Sequence, residues 1–187
     1  MSCPVRVSGR PASGRFVNRP YNDFLIWGRC IMVLAFTGHR PEKLPWGSDE
    51  TDARCGALKQ QLLEAVRTAA EEGYDTFLCG MARGCDLYFA ECVLSLGLRL
   101  EAYLPCPSQT RAWPESDRAR QTGLLLSCAA VYMVEPEYSP GCMLRRNQKM
   151  VDAADALLTV YDGSPGGTGA TVDYAKRRGK SVAGLWL

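Results

Sequence analysis

From Met32 onward, short apolar runs alternate with stretches of helical periodicity, and this alternation limits the fold more than any other feature. Val33–Phe36, Thr76–Cys79, Leu100–Leu104, Val131–Val134, Ala156–Tyr161 and Ser181–Trp186 read as strands. Between them, Leu58, Leu62, Val66 and Ala70 recur every fourth residue as a helix stripe closed by Gly73. Cys85–Leu96, Arg118–Ala129, Met143–Ala153 and Thr171–Arg178 read as further helices, with Gly97 and Gly179 as stops. Parallel strands need long crossovers, so the expected class is α/β: a three-layer fold with a mostly parallel sheet. Uninterrupted runs such as Val33-Leu34-Ala35-Phe36 agree, because they suit strands covered on both faces.

The 187 residues fit one domain with a real core, expected over 32–187. Hydrophobic residues make up 47% and charged residues 22%, the balance of a globular chain rather than a disordered one. No apolar stretch approaches the roughly 18 residues of a membrane span, so no membrane partner is expected. Residues 1–31 stand apart: they are rich in Arg, Pro, Gly and Ser, with five arginines against one aspartate. They are expected to form a flexible basic N-terminal extension, and Met32 is itself a candidate start. The remainder holds two more acidic than basic residues, which argues against a protein built to grip nucleic acid. Nine cysteines and a single histidine, His39, match no zinc spacing, so no metal site is expected. Phe24-Leu25-Ile26-Trp27 is too short for a secretory apolar region, and the expected compartment is the reducing cytoplasm. Trp113, Tyr132, Tyr138 and Trp186 are read as core or interface, which leaves a homo-oligomer open.

Three segments at strand ends carry chemistry. Thr37-Gly38-His39-Arg40 closes the first strand; Arg40 suits a phosphate or carboxylate, and His39 is either an acid/base or a wall of the pocket. Gly80-Met81-Ala82-Arg83-Gly84 follows the second strand, with Asp86 just beyond as a cap or a ribose contact. Gly163-Ser164-Pro165-Gly166-Gly167-Thr168-Gly169 follows the fifth, and its glycines are expected to form a turn before a helix beginning at Thr171. Glycine lets an anion approach main-chain N–H groups, and a helix start adds partial positive charge. Arg146 and Asn147 either face solvent on their helix or reach over the strand ends. Neither a Walker pattern nor a GxGxxG fingerprint is present.

Thr-Gly-His-Arg-Pro, Gly-Met-Ala-Arg-Gly-Cys-Asp, Arg-Arg-Asn-Gln-Lys-Met-Val-Asp and Tyr-Asp-Gly-Ser-Pro-Gly-Gly-Thr, in this order, resemble the YpsA-like branch of the SLOG superfamily. That superfamily groups the DNA-processing protein DprA with LOG-type nucleotide phosphoribohydrolases. The resemblance covers about residues 32–187 and implies a Rossmann-like sheet with a nucleotide-type ligand, of the ADP-ribose or NAD kind, at the strand ends. The LOG hydrolases carry Pro-Gly-Gly-x-Gly-Thr-x-x-Glu; here Ala170 stands at their Thr and Asp173 at their catalytic Glu.

The expected function is therefore binding of a nucleotide derivative, in a sensing role and with no separate cofactor. Thr37, Gly38, His39, Arg40, Gly80, Ala82, Arg83, Gly84, Asp86, Arg146, Asn147, Gly163, Gly166, Gly167 and Thr168 are the candidate ligand contacts. An N-glycosidic hydrolase is the alternative, with Asp173 or His39 assisting water attack. A DprA-like DNA-handling module is a third reading.

Overall fold

The computed structural model describes residues 31–185. Residues 1–30, on which the reading of a flexible extension falls, and Trp186 lie outside the described residues.

Six strands form one sheet: β1 (Met32–Gly38), β2 (Tyr74–Cys79), β3 (Arg99–Leu104), β4 (Ala130–Met133), β5 (Ala156–Val160) and β6 (Ser181–Leu185). All five pairings are parallel, in the order β4-β3-β2-β1-β5-β6. The helical connections are α1 (Ala53–Glu71), α2 (Cys85–Ser95), α3 (Glu115–Leu126), α4 (Cys142–Ala153) and α5 (Gly167–Arg177). The result is the Rossmann-like three-layer α/β architecture.

Alternation along β1 sorts the core into two layers. Leu34 and Phe36 pack with α1 and α2 through Leu58, Leu62, Phe89 and Val93. Val33 and Ala35 pack on the other face with α4 and α5 through Met150, Val151, Val172 and Ala175. The chain lays down β1 to β4 in one direction, then returns through α4 to add β5 on the opposite side of β1. Strand order therefore reverses between β1 and β5, and the loops leaving these strands diverge to open a crevice. Asp155, just before β5, fixes that junction: its carboxylate accepts the Val33 N–H at 2.8 Å and its own N–H donates to Val33 O at 2.8 Å.

Two helices depart from the sequence reading by more than one residue. α3 runs from Glu115 to Leu126 rather than 118–129. α5 begins at Gly167, four residues before Thr171, so Gly167 and Gly169 belong to its first turn and not to the preceding loop. The general penalty for glycine in a helix is overridden by fit: a Cβ on Gly169 would lie 2.6 Å from Tyr161 Oη.

Candidate functional site

A cavity of about 490 Å³ opens over the β1/β5 crevice. Its wall includes Thr37, Gly38, His39, Arg40, Ala82, Asp86, Arg146, Asn147, Gly166, Gly167 and Thr168. Gly80, Arg83, Gly84, Gly163 and Asp173 are not among the wall residues. Among the described residues there is no cluster of three metal-ligating side chains. Nor is any helix there long and apolar enough to cross a membrane.

The floor comes from the end of β1. His39 is buried, its ring set against Tyr161 at 5.7 Å between centroids, with Nε2 2.8 Å from Asp162 Oδ1. The Asp162 N–H also lies 3.3 Å from Nε2, so this nitrogen faces both an acceptor and a donor of the same residue. The Asp162 carboxyl is held well below the usual carboxylate range, first by the Ser164 N–H and then by His39.

The turn after β2 reaches the cavity wall through Ala82 and Asp86 and is otherwise braced by contacts within the protein. Gly84 has φ +80°, and its place is set by β1: a Cβ there would lie 2.8 Å from His39 O, which accepts the Cys85 N–H at 3.1 Å. A Cβ on Gly80 would lie 2.0 Å from Arg146 Nη1, so this glycine makes room for a guanidinium rather than for a phosphate. Arg146 Nη1 donates to Gly80 O and, at 3.0 Å, to Tyr103 O. Met81, the one non-glycine residue with positive φ (54°) among the described residues, is held by Gln109 and Gln121, whose side-chain amides donate to its carbonyl. Asp86 is buried and accepts the Ala82 N–H at 3.1 Å. Burial pushes its carboxyl up, opposed by the nearby Arg146. Arg83 turns away to Asp117, at 2.5 Å, and to Glu42, at 3.3 Å.

The opposite wall is the first turn of α5. The N–H groups of Gly167, Thr168 and Gly169 have no partner among the described residues; the first intrahelical bond of this end is Ala170 N–H to Gly166 O at 2.9 Å. Thr168 Oγ1 donates to Gly38 O at 3.1 Å and ties this turn to the floor. Asn147 Nδ2 donates to Thr171 Oγ1 at 2.7 Å, so its amide braces α4 against α5. Asp173 is exposed, and its helical spacing from Thr168 places it off the cavity-facing side of α5.

Two contributions were not foreseen from sequence. Lys43, in the 3-10 turn Pro41–Lys43, spans to the loop after β5, donating from Nζ to Ser164 Oγ at 3.0 Å and Pro165 O at 2.5 Å. The Pro165-Gly166 turn needs such a clamp, and a cation near an expected anion site was the available clue. The first turn of α4 is the second: Gly141, Cys142, Met143 and Leu144 line the cavity. Gly141 caps this helix in the left-handed region at φ +81°, where glycine is favoured. The preceding loop is braced by Arg145, which donates to Glu135 Oε1 at 2.5 Å and Pro140 O at 3.0 Å. The Pro140-Gly141 pair in the sequence marks this turn.

Residues 34–181 match the YspA SLOG family. Among curated relatives, a UPF0398 protein of Bacillus cereus (strain B4264) is 29% identical over 159 residues, spanning 80% of this chain and 85% of the relative. A UPF0398 protein of Bacillus thuringiensis (strain Al Hakam) is 28% identical over 159 residues with the same coverage. Solved structures give the same fold. The structural-genomics target TM1055 aligns at TM-score 0.55 and 17% identity, over 81% of this chain and 72% of that one. DNA processing protein A from Helicobacter pylori, whose structure is titled for single-stranded DNA binding, aligns at 0.58 and 17%, over 82% and 65%. DNA processing protein A from Streptococcus pneumoniae aligns at 0.59 and 14%, over 82% of this chain and 50% of its own.

Proposed function

Because the chain belongs to the YspA SLOG family, we propose that its cavity binds a nucleotide or nucleotide-derived molecule, of the ADP-ribose or NAD kind, in a cytoplasmic sensing role. A phosphate sits against the first turn of α5, and the rest of the molecule fills the crevice toward α4. One observation carries this reading: the successive N–H groups of Gly167 and Thr168 lack protein partners, and both residues line a cavity also walled by Arg40 and Lys43. Unpaired donors at a helix start bind anions through both hydrogen bonds and the helix dipole. A volume of about 490 Å³ falls within the range of small-molecule sites. Seven described cysteines are free thiols, which suits a reducing compartment.

Isothermal titration with adenosine 5′-monophosphate, ADP-ribose and NAD tests the reading. Saturable binding of at least one is expected, weakened about tenfold in Lys43→Ala for loss of one charge-assisted contact. Flat titrations with all three, and no thermal shift, refute it.

The hydrolase alternative rests on the His39–Asp162 pair in the floor, since Asp173 lies off the cavity. Release of adenine from the monophosphate, lost in His39→Gln, is its signature. Single-stranded DNA belongs in the same titrations as the probe for the DNA-handling reading.

A further inference from the structure

We propose that Tyr138 is the specificity-determining residue of this site: its ring, with Leu144 beside it in the wall, stacks on the planar base of the ligand and sets its direction, base toward α4 and phosphate toward α5. This rests on the nucleotide reading above and assigns the part of the ligand that the anion contacts leave unread.

The walls of the cavity differ in kind. Gly166, Gly167, Thr168 and Lys43 offer main chain, a hydroxyl and a positive charge. Such groups hold a phosphate and say nothing about what it is attached to. Tyr138, Met143 and Leu144 come from the loop 134–141 and the first turn of α4, and they offer aromatic and aliphatic surface. Of the exposed large apolar side chains among the described residues, Ile31, Leu126, Val131 and Met133 lie outside the wall, whereas Tyr138 and Leu144 belong to it. Tyr138 is 66% exposed and Leu144 38%. No hydrogen bond or ring contact engages Tyr138 among the described residues. The fold makes no use of this ring, and the ring stands in the wall of the cavity.

The backbone that carries Tyr138 is fixed at both ends. Val134 N–H donates to Leu104 O at 2.8 Å and Glu135 N–H to Pro105 O at 3.0 Å, which ties the start of the loop to the end of β3. Cys142 N–H donates to Ser139 O at 3.1 Å and ties its end to α4. Arg145 joins the two ends through Glu135 Oε1 at 2.5 Å and Pro140 O at 3.0 Å. Pro136 and Pro140 restrict φ on either side of the tyrosine. An uncovered ring on a braced loop is preorganised, so little ordering remains to oppose binding.

A planar base suits this surface better than other occupants. Two side chains in a cavity wall fall far short of the roughly 800 Å² per partner that a stable protein interface covers. An acyl chain would bury the charged groups of Arg40, Lys43 and Asp86, which line the same cavity, without pairing them. A base is apolar on its faces and polar at its edges, aromatic rings prefer offset stacking, and a sugar joins the base to the phosphate held at α5.

Calorimetric titration of the full chain with adenosine 5′-monophosphate, ADP-ribose and NAD is paired with ribose 5-phosphate, which has the sugar and phosphate but no base. Ribose 5-phosphate is read by displacement of the monophosphate. In the natural protein it is expected to bind about tenfold more weakly than the monophosphate, the effect of one stacked base. Every base-bearing ligand that binds is expected to weaken about tenfold in Tyr138→Ala and to stay within about twofold in Tyr138→Phe, which keeps the ring. Ribose 5-phosphate is expected to bind both variants as it binds the natural protein. Both substitutions fall on an exposed side chain, so the fold is retained. Unchanged affinities in Tyr138→Ala overturn the assignment while leaving the nucleotide reading in place. Equal weakening of ribose 5-phosphate overturns it too, since the loss is then not of the base, and so does a loss in Tyr138→Phe as large as in Tyr138→Ala. A dimer in sedimentation that Tyr138→Ala dissociates, with ligand affinity unaltered, makes the ring an interface residue instead. Failure of all the base-bearing ligands to bind removes the nucleotide reading and this assignment with it.

Discussion

Replacing Gly80 with alanine separates two roles for this glycine, ligand approach and side-chain accommodation. Its φ is ordinary, so alanine meets no backbone strain, and the whole effect comes from the added methyl. That methyl would lie 2.0 Å from Arg146 Nη1, 2.4 Å from Cζ and 2.9 Å from Nη2. The guanidinium is displaced, and it loses its bonds to Gly80 O and Tyr103 O. Hydrogen bonds to a charged group contribute about 1.5–3 kcal/mol each, and an uncompensated buried charge costs about 3–5 kcal/mol. The two figures describe one event, so the expected loss is about 3–5 kcal/mol, or about 6–20 °C in Tm for a chain of this size. Urea unfolding followed by circular dichroism reads the change through the midpoint at constant slope. The Arg146→Leu background supplies the control. With no guanidinium to displace, Gly80→Ala should there cost less than about 1 kcal/mol, and the difference is the coupling between the two sites. A loss below about 1 kcal/mol in the otherwise unaltered protein would refute the steric argument.

Two further outcomes follow from the same loops. Gly169→Ala places a methyl 2.6 Å from Tyr161 Oη, the movable end of a side chain; a loss of about 1–2 kcal/mol is expected, largely restored by Tyr161→Phe in thermal melts. Asp162 has its carboxyl lowered from 3.8 by the Ser164 N–H and then His39, so its contribution is present above the ordinary aspartate value and lost as pH falls through the depressed one. The stability gap between the natural protein and Asp162→Asn should accordingly be full at pH 7 and narrow below 3.8; a gap independent of pH over that range would contradict the assignment.

The sheet was legible because apolar strands between helix stripes leave few architectures, and β1, β2 and β5 sit where their uninterrupted runs placed them. The crevice at three strand ends followed from the same pattern. What each glycine does there was not legible. Gly80 and Gly84 have partners on distant segments, Arg146 and His39, and no local signal announces them. Arg83 pairs with Asp117, 34 positions away, so its charge was visible in the sequence but its direction was not. The start of α5 was misplaced because average helix propensity penalises glycine, whereas Gly169 is selected by the nearness of Tyr161. Asp173 shows the reverse: helical spacing from Thr168 already turns it away, and motif position alone had suggested otherwise.

The ties across the crevice join distant parts of the polypeptide: Val33 to Asp155 over 122 positions, His39 to Asp162 over 123 and Thr168 to Gly38 over 130. Closing so long a loop is entropically slow, and none of these bonds can form before the second half of the chain exists. During synthesis the cleft is therefore among the last parts to be assembled, and a nascent chain that stops at β4 owns only one bank of it. Capture of the proposed ligand would then report completion of the polypeptide as well as its sequence.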